Sequence, residues 1–141
     1  MKLLHLYLLI IAITLVSCGS NKHTDSEKLY NTTWELEYIS GSRIAFNGLY
    51  PDKKPKIKFD KTTGKVTGNN SCNGYSADYT LENNNISFGA PGPTTMMFCG
   101  SGEQQFLKII KQINTFSFND NGKLNLLLDD VAMMRFKKVE N

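Results

Sequence analysis

Three cysteines, Cys18, Cys72 and Cys99, are the residues of this 141-residue chain with the widest choice of chemistry. A thiolate can attack a carbonyl, hold a soft metal, accept a lipid or join a second sulfur. Nucleophilic use needs a base within reach, and the chain has only two histidines, His5 and His23. His5 falls in an apolar run and His23 in a polar stretch, so neither belongs to a preorganised site. Cys72 and Cys99 lack the Cys-x-x-Cys spacing of a redox-catalytic pair. Asp129-Asp130 sits between two apolar runs, where Asp is expected for its backbone habits. No catalytic residue is assigned, and the chain reads as a non-enzyme.

Metal chemistry fares no better. Met96-Met97 and Met133-Met134 have no histidine or free cysteine near them in sequence, which makes packing the better reading. The stretch Asn119 to Gly122 has the outline of a calcium loop, but Leu128 stands where the bidentate Glu is required. No metal and no cofactor is expected.

Two constellations could bind rather than react. Lys53, Lys54, Lys56, Lys58, Lys61 and Lys65, against Asp52 and Asp60, carry a formal +4 in fourteen residues, more than the +3 of the whole chain. Through Lys53, Lys54, Lys56 and Lys58 they could meet anionic lipid heads or a polyanionic wall polymer. The competing reading is a solvated strand face whose lysines discourage edge pairing, and the outward phase of Lys56 and Lys58 favours it. A net charge of +3 is too mild to call for a nucleic-acid partner. Trp34, Tyr38, Tyr75 and Tyr79 could line the mouth of a small-ligand pocket, although aromatics at such phases more often fill a core.

The elements that must position these residues are mostly strands. Hydrophobic residues at 40%, charged at 21% and aromatic at 11% suit one globular domain. Trp34, Leu36 and Tyr38 alternate with Glu35 and Glu37, and Ile57 and Phe59 with Lys56 and Lys58. Ala77, Tyr79 and Leu81 continue the pattern, as do Ile86 and Phe88, Phe116 and Phe118, the Leu124 to Leu128 run, and Ala132 to Phe136. Period two places one face of each strand on a core. Turn sequences separate the runs at Asp60 to Gly64, Glu82 to Asn85, Asn119 to Gly122 and Asp129-Asp130. With the Val66 run, about eight strands result. Phe106, Ile109, Ile110 and Ile113 instead follow helical spacing, and Ser101 with Gln104 predicts a capping box. The fold class is α+β, mainly β: a curved, barrel-like antiparallel sheet with one helix packed on it.

The chain opens with an address. Lys2 precedes an almost wholly apolar run from Leu3 to Val16, shorter than the ~20 residues a membrane span asks for. Leu15-Val16-Ser17-Cys18 resembles the lipobox of bacterial lipoproteins. That resemblance implies a signal at residues 1–17, cleavage before Cys18, and acylation of Cys18 as a membrane anchor. Gly19 at the next position leaves out the Asp that signals inner-membrane retention, so an outer-membrane site in the cell envelope is expected. Residues 18–28 read as a flexible tether and residues 29–141 as the folded domain, expected to be a monomer. In an oxidising envelope Cys72 and Cys99 would bond, closing a loop worth about 3.5 kcal/mol on the chain-entropy model. Two buried free thiols are the alternative if the cell does not oxidise its exported proteins.

Thr33-Trp34-x-Leu36, Gly68-x-x-x-Cys72-Asn73, Thr95-x-Met97-x-Cys99 and Glu103-x-x-Phe106, followed late by Leu124-x-Leu126, resemble the META domain family of HslJ-like bacterial lipoproteins. The resemblance spans about Tyr30 to Val139. Phe98, Gly74 and Gly100 depart from the family's usual residues, all in loops. It implies an antiparallel barrel-like sheet with a helix, an envelope or secreted location, and links to heat shock, antibiotic tolerance and motility. It supplies no catalytic residues. The expected partners are the membrane, through the Cys18 anchor that the lipobox implies, and an envelope protein or polyanion.

Overall fold

The computed structural model describes residues 24–139. The expected signal, Cys18 and His23 lie outside the described residues. Three helices and eight strands follow in order: α1 (Thr24–Glu27), β1 (Thr33–Ile39), α2 (Phe46–Leu49), β2 (Lys56–Asp60), β3 (Lys65–Asn69), β4 (Gly74–Glu82), β5 (Asn85–Phe88), α3 (Ser101–Ile110), β6 (Thr115–Phe118), β7 (Leu124–Leu128) and β8 (Val131–Val139). The strands lie in chain order around a closed antiparallel ring. Consecutive strands are neighbours, joined by short turns except where α2 lies between β1 and β2 and α3 between β5 and β6, and the first strand meets the last.

The ring is not evenly knit. β1 and β8 share six register pairs, whereas β5 and β6 share one, Asn85 with Thr115. Flanking bonds from Ile86 N to Asn114 O (3.0 Å) and from Phe116 N to Asn84 O (3.0 Å) complete that junction.

Inward side chains of the strands form one core with the stripe of α3. Trp34, Leu36, Ile57, Phe59, Phe116, Leu124, Leu126, Met134 and Phe136 meet Phe106, Ile109 and Ile110 there. The N-terminal segment plugs one end, where the buried Leu29 accepts the Trp34 indole N–H at 3.1 Å through its carbonyl. α3 covers the other. The helix comes close enough to α2 to exclude a side chain at Gly102, where a Cβ would lie 2.7 Å from the Tyr50 ring. Gly68 is fixed by a second close approach: its φ is 154° and a Cβ would overlap the Lys56 carbonyl oxygen on β2.

The expected alternation fails in β1, and the β7–β8 register also shifts, between Leu126 and Leu127. Tyr38 is 39% exposed while Ile39 turns inward, because the β1–β8 register shifts between Leu36 and Tyr38. Such a bulge adds a residue to one strand and flips the side chains beyond it. The capping box also does not form. The N-cap of α3 is Gly100, with φ 68°, and no side chain caps the helix. Two helices of four residues join the one that was expected, and α1 occupies the end of the expected tether, where Glu27 pairs with Lys61 at 2.5 Å.

Candidate functional site

At the α3 end of the ring, the loop between β3 and β4 meets the extended segment leading into α3. The β3–β4 loop is tight: Asn70 N bonds Asn73 O at 3.1 Å, and the Asn69 amide donates to Lys54 O (2.9 Å) and Ser71 O (2.8 Å). A disulfide joins Cys72 in this loop to Cys99, across 27 residues and a Cα separation of 5.6 Å. Beside it the Asn73 carboxamide imitates a peptide group. Its Oδ1 accepts from Met97 N (3.0 Å) and the Thr95 hydroxyl (2.9 Å), and its Nδ2 donates to Met97 O (2.8 Å). The two motifs, Cys72-Asn73 and Thr95-x-Met97-x-Cys99, are thus two halves of one clasp.

Glu103, in the first turn of α3, ties the clasp to the helix. Its carboxylate accepts from the Asn73 amide at 3.0 and 3.1 Å and from the Asn70 amide at 2.9 Å. The position also sets a negative charge at the positive end of the helix, the role an N-cap side chain would otherwise share. The network is not complete. Among the described residues Asn70 Oδ1 and the Tyr75 hydroxyl are buried without a hydrogen-bond partner, a state that costs about 1–3 kcal/mol per group. Burial pushes the Tyr75 phenol well above the ordinary tyrosine range, so the group is neutral.

The clasp presents what lies between its anchor points. Met96 is 97% exposed, Phe98 94% and Met97 61%. Asn73 holds this segment by the Thr95 hydroxyl and the Met97 backbone, which leaves the side chains of Met96, Met97 and Phe98 exposed. Under them a groove of about 460 Å³ is lined by Leu49, Pro51, Lys53, the two half-cystines and Phe98. Three exposed apolar side chains on a cross-linked loop form the kind of patch that soluble surfaces bury against a partner.

The aromatic four do not come together around a cavity. Trp34 is fully buried, with its ring 5.6 Å from that of Phe118, and Tyr75 stacks edge-on against Phe106 at 5.2 Å. Tyr79 packs on Phe59 at 5.2 Å and reaches Asp60 O, whereas Tyr38 lies on the outer surface beneath Arg135. The grooves at the β4–β5 hairpin, at the clasp and beside α1 are lined by none of these residues.

The lysine run is likewise divided. Lys54 lies over the Phe46 ring and Lys53 borders the clasp groove, while Lys56 bonds Glu35 at 3.1 Å, Lys61 pairs with Glu27 and Lys65 with Asp78. Lys58 is exposed and makes no ion pair among the described residues. Sequence spacing singled out the cysteines, but Glu103 as the partner of Asn70 and Asn73 carries no local signal, since these contacts span 33 and 30 positions.

The META domain model matches residues 27–141. Two solved structures share the fold. One is an NMR structure of a protein from Burkholderia xenovorans, 22% identical, with a TM-score of 0.61 over 86% of this chain and 90% of that one. The other is a DUF4847 family protein from Bacteroides vulgatus ATCC 8482, 13% identical, with a TM-score of 0.56 over 82% of this chain and 96% of that one. No curated protein matches the chain. Neither the META domain nor the DUF4847 family is a known enzyme family. The chain belongs to the META domain family.

Proposed function

We propose that this protein is a non-catalytic lipoprotein of a bacterial envelope, anchored through acylated Cys18 and acting by contact of its Met96–Phe98 tip with another envelope protein. The observation that carries the contact reading is the pairing of a filled interior with an exposed apolar tip. Trp34, Phe59, Phe106, Phe116 and Phe136 are each at most 2% exposed, so the space a small ligand would take inside the ring holds aromatic side chains. Met96 and Phe98, by contrast, are held outward at a fixed place by the disulfide and Asn73. Burying a side chain of either size on a partner is worth about 1.5–3 kcal/mol, and rigidity lowers the entropy lost on docking. The lipobox supports the anchor, and the family's links to heat shock and antibiotic tolerance name the conditions in which the contact matters.

A photo-crosslinking residue placed at Phe98 in intact cells tests the contact, with the same probe at Thr80 on the outer sheet face as control. A discrete adduct at position 98 and none at 80 is the expected result; identical patterns at both would sink the reading. Metabolic labelling with a fatty-acid analogue tests the anchor separately, since Cys18→Ala should abolish the label.

A further inference from the structure

We infer that the outer face of β8, β1 and β2 is a contact surface for an anionic phospholipid bilayer. Elsewhere among the described residues the ion pairs join one cation to one carboxylate: Lys28 to Asp25, Lys61 to Glu27, Lys65 to Asp78. On this face each carboxylate is shared by two cations. Glu35 takes Lys56 at 3.1 Å and Lys137 at 3.3 Å, and Glu37 takes Lys123 at 2.9 Å and Arg135 at 4.0 Å. The carboxylates are also the deeper partners. Their side chains are 16% and 24% exposed, against 35–48% for the four cations. An approaching surface therefore meets ammonium and guanidinium groups, with the acids sunk beneath them.

Lys58, opposite Thr33 in the register, extends the stripe, and with Asp60 at the β2–β3 turn the described residues of the face hold five cations against three carboxylates. The excess of two equals the formal charge of the chain cleaved before Cys18, 15 Lys+Arg against 13 Asp+Glu, so the remainder is close to neutral. The Thr62 and Thr63 backbone N–H groups and the neighbouring Lys58 hold the Asp60 carboxyl below the ordinary aspartate range, so it is charged and bounds the stripe on that side. Tyr38, thrown outward by the bulge, lies on the same face with the Arg135 guanidinium 5.3 Å above its ring. Basic side chains around an aromatic ring match the headgroup region, where anionic phosphates attract the first and the interface favours the second.

A bilayer is favoured over a soluble polyanion by position, and on this point the inference rests on the lipid anchor proposed above. Cys18 precedes α1 by six residues, at most about 20 Å of extended chain, and the chain then enters this face directly through β1. The surface differs from the one the sequence indicated. Lys56 and Lys58 belong to it, but Lys53 and Lys54 lie beyond the strand, and their place is taken by Lys123, Arg135 and Lys137 from the far end of the chain.

The processed, lipidated protein, reconstituted in phosphatidylcholine vesicles with or without phosphatidylglycerol, tests the inference. The rate of amine acylation is read at each lysine by mass spectrometry. Lys56, Lys58, Lys123 and Lys137 should each slow by about fivefold when phosphatidylglycerol is present, and recover in high salt. Lys53, Lys54 and Lys108 should be unchanged. Equal rates in both vesicles, or protection of Lys53 and Lys54 in place of the four, would overturn it. So would equal protection by soluble polyphosphate added to the uncharged vesicles, which would move the face to a polyanion. Flotation with pure phosphatidylcholine reports the anchor without reference to charge, so failure of the anchor and failure of the face are told apart.

Discussion

Asn73 holds more of the clasp than any other side chain. Its carboxamide satisfies a donor and an acceptor of Met97, the Thr95 hydroxyl and one face of Glu103. Asn73→Asp keeps the shape but removes every donated bond and sets a second carboxylate against Glu103. It should lower stability by about 2–4 kcal/mol at neutral pH, with part of the loss recovered in acid, as urea denaturation at two pH values would show. Glu35 gives the opposite pH signature. Burial raises its carboxyl, but hydrogen bonds and charges from Lys56 and Lys137 more than reverse this, leaving it below the ordinary glutamate range. A depressed folded pKa contributes stability above the unfolded value, about 4.3, and that contribution is lost as pH falls through the folded value. Wild type should therefore exceed Glu35→Gln in stability at pH 7, and the gap should close in acid. A gap that persists at pH 2 would contradict the assignment.

Among the elements, α3 and the segment before it depend on one another. The helix begins without a side-chain cap at Gly100, and Glu103 is held from the β3–β4 loop, so its first turn relies on tertiary contacts. Replacing both Cys72 and Cys99 by Ser should cost about 3.5 kcal/mol on the chain-entropy model and lower the melting temperature. Far-UV circular dichroism should stay close to native below the transition, because the ring and the Asn73 bonds do not require the sulfurs. A folded variant with unchanged melting would show that the cross-link adds nothing to the loop's own order. The strands were largely legible in the sequence. Trp34 and Leu36 point inward as their period says, and the reading breaks at Tyr38 only because β8, a hundred residues on, sets the bulge. Ser101 and Gln104 matched a local capping pattern, but the partners that organise the helix start are Asn70 and Asn73 of the β3–β4 loop, through Glu103. α2, four residues long, had no period to detect.

For the whole molecule, charge is distributed by topology rather than by sequence density. The lysine run that dominates residues 53–65 is split among the clasp, the sheet and the N-terminal turn, while the basic face is assembled by bringing β8 beside β1. No inspection of a linear window shows that assembly, because it depends on which strand closes the ring. The same closure has a kinetic side. With β5 and β6 joined at one register pair, the circle has a seam whose opening breaks few backbone bonds, whereas parting β1 from β8 would break a full ladder. Excursions that admit solvent to the interior should start at Ile86 and Phe116, and a strand from another chain would find its vacant edge there. In that sense the molecule behaves as a rolled sheet, curled shut by its core and latched at its edge by a single stitch.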